Sequence, residues 1–471
     1  MTDLTGAGRH REAPLDVVVI GGGIAGLAAA WELRDMRIVV LESESRVGGR
    51  LMSESRGPYW LNFGGHVLSG PGSATERLLR STGVAARDVP GILTAVALGD
   101  EMLAGSRVET YPFRLPLSFG ERVALIRVGA RLRFEVERYR RATGRRAGES
   151  DADRRVRVLR FRDQETFSQF LGRVPDRVDE IFRATIRRSS GEPEEVSAGY
   201  GIGYFQLVWD KAGGLTRNIL GGSNLLPEAI ANTLGGRVRT DCPVAQVSQD
   251  PNGITVRYAH RGHEHRLRAR YVVLATPADV TRAIVTDLPT ATARALGGIT
   301  YGPYVVGALL TRETEPMPYD HVYAVATPDR AFNMLFNIAN VTRSGPRAPG
   351  GSLMVYSGAE LARRLDHLND DAVARLYTDE VTAIFPGLRG AIAEIKIKRW
   401  GRGLPHPRPG RSALQADLER PLDNLFLAGD YLGTTYVETA VQTGVAAAER
   451  IRQLLHAPQD PASRRAGWTQ E

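Results

Sequence analysis

The residues whose type and spacing first suggest chemistry are Gly21-Gly22-Gly23-Ile24-Ala25-Gly26. They fit G-x-G-x-x-G, a pattern in which backbone N–H groups close on a pyrophosphate at the start of a helix. Gly21 permits the tight turn, Gly23 lets the backbone approach the phosphates, and Gly26 lets helix and strand pack closely. Glu42 follows at the distance where an acidic side chain, about 20 residues on, accepts hydrogen bonds from a ribose. His260, His263 and His265 have a spacing that could suggest a metal. They lie in a polar hairpin with Arg261, Arg266 and Arg268, so a solvated turn is expected and no metal site. Cys242 is the single cysteine, which excludes a disulfide framework or a cysteine-rich metal centre.

The elements needed to position the glycine turn are legible around it. Asp16–Ile20 reads as a buried strand, Ile24–Arg34 as a helix and Arg37–Leu41 as a second strand, a βαβ unit of roughly 30 residues. Apolar positions Leu125, Val128, Leu132, Val136 and Tyr139 predict a helix within Leu115–Arg141, and Asp163–Arg188 continues with helical patterning. Helix is expected again over Leu225–Leu234, Asp370–Phe385 and Thr439–Leu455. Strands are expected at Val244–Val247, Ile254–Tyr258, Tyr271–Ala275, repeatedly between Thr300 and Ser357, at Ile392–Trp400 and at Leu425–Ala428.

The chain has 471 residues, 42% of them hydrophobic and 24% charged, which suits a globular protein of two or three packed domains. No secretory signal and no apolar run of membrane-spanning length are evident, so a cytoplasmic protein is expected. Only Lys211, Lys396 and Lys398 among the 61 basic residues are lysines. The net charge of +8 is concentrated between Arg122 and Arg162, where fourteen arginines face five carboxylates. A nucleic-acid binder would spread or interleave such charge with aromatics, so no nucleic-acid partner is expected. The segment reads either as a solvated helical face or as an arm for peripheral contact with an anionic membrane or an acidic carrier protein.

Four segments, taken in order, resemble one family. The glycine turn and Glu42 are followed by Arg46-Val47-Gly48-Gly49-Arg50, then Leu61-Asn62-Phe63-Gly64-Gly65-His66. Gly221–Ala229 precedes Pro243-Val244, and Asn424–Asp430 (NLFLAGD) leads into Thr434–Gly444 (TTYVETAVQTG). Together these resemble the flavin-containing amine oxidase superfamily of monoamine and polyamine oxidases, protoporphyrinogen oxidases and phytoene desaturases. The resemblance implies an α/β protein: a Rossmann-type FAD-binding domain (GR2-like) with an inserted mixed α+β substrate domain. The FAD domain is expected to be discontinuous, from residues 14–70, 215–290 and 395–456. Residues 71–214 and 291–394 would form the substrate domain, and 1–13 and 457–471 flexible tails.

The same resemblance implies roles for matching residues. Gly21, Gly22, Gly23, Ile24, Ala25 and Gly26 would cradle the pyrophosphate and Glu42 the adenosine ribose. Arg50, in the Gly48-Gly49-Arg50 motif, would reach the pyrophosphate or lie near the flavin ring, and Gly49, Gly64, Gly65 and His66 would also contact the cofactor. Val244 would offer its backbone to adenine, Gly429 and Asp430 would hold the ribityl chain or a phosphate, and Val437 would face the pyrimidine edge of the ring. Tyr436 and His66 are the catalytic candidates, and Tyr304, Trp400 and Tyr436 the substrate candidates. Tyr204, Phe205 and Trp209 either line the cavity or belong to an aromatic core. Amine oxidases of this family usually carry a lysine near flavin N5, but the matching strand here, Gly302–Leu309, has none. With Cys242 on the adenine side, FAD is expected to be held non-covalently. The implied function is two-electron oxidation, at a C–N or C–C bond, of a small hydrophobic metabolite with oxygen as acceptor. The alternatives are porphyrinogen-oxidase or desaturase-like C–C dehydrogenation, and a non-redox isomerase or mutase.

Overall fold

The computed structural model describes residues 15–90, 95–99, 101–105, 107–209, 215–251, 253–342, 347–434 and 436–456. The expected tails, 1–13 and 457–471, lie outside the described residues.

Two seven-stranded sheets organise the molecule. The first is centred on Leu15–Ile20, flanked in parallel by Ile38–Leu41 and by the second half of His263–Leu274. Val17, Val18 and Val19 are all fully buried, as expected of a central parallel strand covered on both faces. Val238–Arg239 extends one edge, and Leu425–Leu427 runs parallel to Val272–Leu274. Val244–Asp250, Gly253–His260 and the first half of His263–Leu274 form an antiparallel meander. One face carries the helices Ile24–Glu32, Leu225–Leu234 and Val437–His456, packed through Leu27, Ala28, Leu226, Ile230, Val441 and Ala448. The helix starting at Ile24 is where the sequence places it. Its alanines and Gly26 have little bulk, so the Val437–His456 helix can lie close against it.

The second sheet runs in the order Ile392–Pro405, Tyr301–Thr311, Gly351–Gly358, Met334–Asn337, Ala324–Ala326, Ala95–Leu98, Glu101–Leu103. Side chains alternate across it with period two. Val305, Leu309, Leu353 and Val355 pack beneath the helix Asp370–Ile384 through Val373, Tyr377 and Val381. Val306, Met354 and Tyr356 face the other way, into a cluster with the helices Phe119–Thr143, Phe167–Leu171, Asp176–Ile186 and Ala198–Trp209.

The expected boundary at residue 395 is corrected here. Ile392–Pro405 is paired with Tyr301–Thr311 from Ile392↔Thr311 to Pro405↔Tyr301, so the strand belongs to the second sheet up to Pro405. Its alternating Ile395 and Ile397 pack on that sheet's helix-covered core. The helical pattern over Asp163–Arg188 is broken in the middle. Gly172 adopts φ +67° and Pro175 precedes the second helix, so two short helices replace one. The basic helix begins at Phe119, where Ser118 and Glu121 form a reciprocal capping box, and runs to Thr143. Leu125, Val128, Leu132 and Val136 are buried as the periodicity requires. Among the described residues no helix is long and apolar enough to cross a membrane.

Candidate functional site

The glycine turn joins the central strand to the first helix as a tight cradle. A Cβ on Gly26 would lie 2.1 Å from the Gly21 carbonyl oxygen, so only glycine fits there. Gly23 differs: a Cβ there would meet nothing within 4 Å. No protein contact demands glycine at position 23, which opens onto free space at the N-terminus of Ile24–Glu32. Gly49, at φ +55°, stands opposite, with Gly23 Cα 3.4 Å from where its Cβ would be. Glu42 is buried. Its Oε2 accepts from Gly22 N–H at 2.6 Å, and its Oε1 from Glu44 N–H at 2.8 Å. Cys242 N–H donates to the Glu42 carbonyl at 2.8 Å, which sets the segment leading to Val244 beside the acid. These groups fit a dinucleotide: an open helix N-terminus for the pyrophosphate and a fixed carboxylate beside it for a ribose.

Further along, Arg50 forks onto Asp430. Nη2 donates to Oδ1 and Nη1 reaches Oδ2, each at 2.8 Å, while Nη1 also donates to the Gly403 carbonyl at 2.9 Å. The Arg50 carbonyl accepts from Gly65 N–H at 2.9 Å. Val437 opens the long C-terminal helix against Gly65, whose Cβ position lies 3.5 Å from Val437 Cγ2. Glu438 accepts from Ala74 N–H, Thr75 N–H and the Thr75 hydroxyl, capping the helix Ala74–Thr82. Three distant stretches of chain are thereby fixed against one another, next to Gly49, which meets the cradle at Gly23. Cys242 is buried, its thiol pushed up by burial, and lies 3.3 Å from His260 Nδ1 on the Glu42 side. No cysteine therefore stands beside Arg50 or Val437 to form a thioether with a flavin.

An aromatic cavity of about 410 Å³ lies between the second sheet and the helices Phe119–Thr143, Asp176–Ile186 and Ala198–Trp209. His66 Nδ1 lies 3.0 Å from the Gly64 carbonyl, so that nitrogen carries the proton, and Nε2 is buried without a partner. Burial, opposed by the Gly64 hydrogen bond and reinforced by the Arg188 charge, lowers His66 to about 4, so the ring is neutral at physiological pH. It sits edge-on to Phe336 at 4.8 Å. Tyr436 and Tyr204 are 6.0 Å apart, and Tyr304 and Tyr356 are 5.3 Å apart. Burial pushes Tyr436 and Tyr304 well above the ordinary phenol value, so both stay protonated. Trp400 Nε1 donates to the Phe63 carbonyl at 2.7 Å. Phe205 and Trp209 line the cavity, and Tyr204 packs against Tyr436.

Of the residues singled out in the sequence, the glycine turn, Glu42, Gly49, Arg50, Gly65, Asp430 and Val437 gather around the cradle. His66 instead packs on Phe336 of the cavity lining, and Tyr436 and Tyr304 stand behind Arg188, through Tyr204 and the Arg188 carbonyl. Sequence reasoning missed Arg188, Phe336, Tyr323 and Tyr356, because nothing in an arginine-rich chain distinguishes one arginine and the aromatics lie on separate strands. It also missed Lys398. The Gly302–Leu309 strand indeed lacks a lysine, but the register sets Lys398 directly across from Val306, with its ammonium 4.9 Å from the Trp400 ring.

A dinucleotide cradle on the first sheet, with an aromatic cavity between the second sheet and its helices, is the architecture of an FAD-dependent oxidoreductase with a Rossmann-type domain and a substrate domain. Residues 24–452 match the family described as flavin containing amine oxidoreductase, and the chain belongs to that family, whose cofactor is FAD. It is 24% identical over 488 residues to the flavin-containing amine oxidase A of Equus caballus, covering 93% of this chain and 85% of the relative. Two solved structures share the fold. The cyclohexylamine oxidase from Brevibacterium oxydans IH-35A superposes with a TM-score of 0.75 at 20% identity, covering 94% of this chain and all of the other. A putrescine oxidase bound to putrescine gives 0.74 at 18% identity, covering 93% and 99%.

Proposed function

We propose that this enzyme oxidises the carbon bearing the amine of a hydrophobic small molecule, with oxygen as the acceptor. The C–H bond breaks, its electron pair forms a hydride that leaves with the hydrogen, and the nitrogen lone pair closes a C=N bond as an N–H proton departs. When bound, FAD would supply the hydride-accepting chemistry, with oxygen as the final two-electron acceptor and peroxide as its product. The carrying observation is the aromatic cavity on the second sheet, with the Tyr204–Tyr436 pair packed behind its Arg188. Gly21–Gly26 would hold the pyrophosphate, Glu42 the ribose, Val244 the adenine, and Arg50, Asp430 and Val437 the flavin-side half. Tyr436, Tyr304 and Trp400 would orient the substrate by their faces. Neutral His66 would accept a hydrogen bond at Nε2 rather than deliver a proton. Anaerobic mixing with arylalkylamines should bleach the flavin colour, and re-aeration should release peroxide. Bleaching by a porphyrinogen or polyene but by no amine would replace this reading with C–C dehydrogenation. Product formation without bleaching would replace it with isomerase or mutase chemistry.

A specific surface supports a peripheral membrane location, through different groups from those expected. Most arginines of the basic segment are paired. Arg133 meets Glu109, Arg138 meets Glu135, Arg140 and Arg141 meet Glu137, Arg155 meets Glu419, and Arg157 meets Glu149. What stands out is an apolar stripe. Phe119, Val123, Ile126 and Phe134 lie along one helix face and, with Phe113, are the large exposed hydrophobics of this region, Phe119 at 82% exposure. Phe113 and Ile126 also line the cavity. The stripe therefore rims the cavity's entrance, where insertion into a lipid headgroup layer would deliver a hydrophobic substrate. Wild-type protein should cosediment with vesicles of mixed neutral and anionic phospholipid, and the double variant Phe119→Ser/Phe134→Ser should lose most of that binding. Absence of wild-type cosedimentation would return the stripe to a solvent-facing surface.

A further inference from the structure

Arg187 and Arg188 are neighbours in sequence with opposite surroundings. The Arg187 guanidinium is buried against Glu192, and Glu180 lies 3.4 Å away. Arg188 lines the aromatic cavity and makes no ion pair among the described residues. The ionisable groups that act on its charge are the phenols of Tyr356, Tyr204 and Tyr436, with the Tyr356 hydroxyl beside it. Its carbon lies 5.5 Å from the Tyr204 ring centroid and 5.9 Å from that of Phe336, and its Nε is buried with no acceptor. His66, the nearby imidazole, is neutral. Of the two arginines that line the cavity, Arg133 is paired with Glu109, which lines it too. Arg188 is therefore the one without a carboxylate partner among the described residues, held on aromatic faces with its Nε unused.

The backbone is built to hold that charge in place. The Arg188 carbonyl accepts from the hydroxyls of both Tyr204 and Tyr304. Ser190 turns the chain sharply at φ +62°, a conformation that side chains other than glycine rarely adopt. Two sheet glycines let this turn lie flat on the second sheet. A Cβ on Gly302 would meet the Ser190 carbonyl oxygen at 2.2 Å, and one on Gly358 would meet the Arg187 carbonyl oxygen at 2.3 Å. A buried cation without a counter-ion is costly to a fold, and here its main chain is pinned by two hydrogen bonds rather than allowed to swing out to solvent.

We infer that Arg188 is a substrate-binding residue that receives a carboxylate, so that the ligand of this cavity is an aromatic or long-chain apolar carboxylate. A carboxylate matches the planar guanidinium edge and neutralises one charge with one. A phosphate dianion would need a second cation, and the other arginine lining the cavity, Arg133, is exposed and already paired with Glu109. This deepens the amine-oxidase reading and rests on it for the amine: together they specify an amino acid with a bulky apolar body.

The test is equilibrium binding of two redox-inert probes, 3-phenylpropanoate and 3-phenylpropanamide, to the full-length FAD-loaded protein by titration calorimetry. Wild type should bind the carboxylate ten- to a hundredfold more tightly than the amide, the range expected for a charged hydrogen-bonded pair. The preference should hold from pH 6 to 9, since guanidinium does not titrate there. Arg188→Met should abolish the preference while keeping amide affinity, Arg188→Lys should keep part of it, and Arg133→Gln should leave it intact. Equal affinity for the two probes in the wild type, which requires no variant to fold, would overturn the inference. So would a preference that survives Arg188→Met. Because neither probe is oxidised, a carboxylate preference without peroxide from any amine would defeat the oxidase reading alone. Peroxide from neutral amines without that preference would defeat the Arg188 inference alone.

Discussion

The glycine cradle and the aromatic cavity are built on opposite electrostatic terms. In the cradle, charged side chains are partnered within the protein: Arg50 by Asp430, and Glu42 by the N–H groups of Gly22 and Glu44. In and around the cavity, Arg188 Nε, and behind it His66 Nε2 and Ser190 Oγ, are buried with no partner. An unpartnered buried polar group costs about 1–3 kcal/mol, and more if charged. The cradle is thus organised by its own chain, with a ligand fitting into the space left over, whereas the cavity keeps donors and acceptors in hand for what enters it.

The largest expected effect tests whether cradle glycines serve the chain or the ligand. Gly26→Val would drive a side chain into the Gly21 carbonyl oxygen and should destabilise the fold by more than about 4 kcal/mol, read as loss of soluble, coloured protein. Gly23→Ala meets no protein atom. It should melt like wild type when stripped of cofactor, yet retain FAD more weakly by tenfold or more. A wild-type FAD affinity in Gly23→Ala would mean that the open space beside position 23 is not the pyrophosphate site.

Next in size is the ion pair that joins the two regions. Asp430 is 8% exposed and Arg50 35% exposed. Arg50→Met should therefore cost roughly 2–4 kcal/mol, somewhat below the loss seen when a fully buried partner is stranded. The double variant Arg50→Met/Asp430→Leu should recover part of that loss in chemical denaturation. Additive losses would show that the two side chains act independently.

The cavity makes its own signature in pH. His66 has its folded value lowered to about 4, by burial above all, against an ordinary value near 6.5 when unfolded. Between those values the unfolded chain binds a proton that the native chain does not, so stability falls as pH drops through that window and is unaffected above it. The contribution is up to roughly 3 kcal/mol. Melting followed from pH 7 to pH 4.5 should show a steeper decline for wild type than for His66→Gln. Parallel curves would mean that the ring is not buried in its neutral form.

The smallest effect concerns Lys398, whose ammonium stacks on Trp400. Lys398→Met should leave FAD retention unchanged and cost about 0.5–1 kcal/mol through the lost cation–π contact, visible as a small shift in melting temperature and in tryptophan fluorescence. A loss of bound FAD would move Lys398 from a contact on Trp400 into the cofactor's own contacts.

The two regions also differ in how far they were legible beforehand. Gly21–Gly26 and Glu42 can be read because a pyrophosphate at a helix start needs contiguous residues at fixed spacing, and strand periodicity announces itself within a dozen positions. Ile392–Pro405 misled because it looks the same in sequence whichever sheet it joins, and only its pairing with Tyr301–Thr311 decides. The basic segment was only half legible for a related reason: charge counts show arginines, but not that Glu109, Glu135, Glu137 and Glu149 meet them.

What the sequence by itself determined is the local chemistry: the glycine turn, the acid beyond it, the Gly-Asp that precedes the last helix and the period of each strand and helix. These depend on neighbours along the chain, where steric and hydrogen-bonding rules act over a few residues. Only the tertiary structure decided the cavity. Arg188 acquires meaning because Tyr204, Tyr304, Tyr356 and Phe336 arrive from a helix and three strands to enclose it, while the carboxylates that pair with Arg187 stop one residue short. Electrostatic environment is set by distance through space and by exclusion of water, and neither is written in the order of the residues.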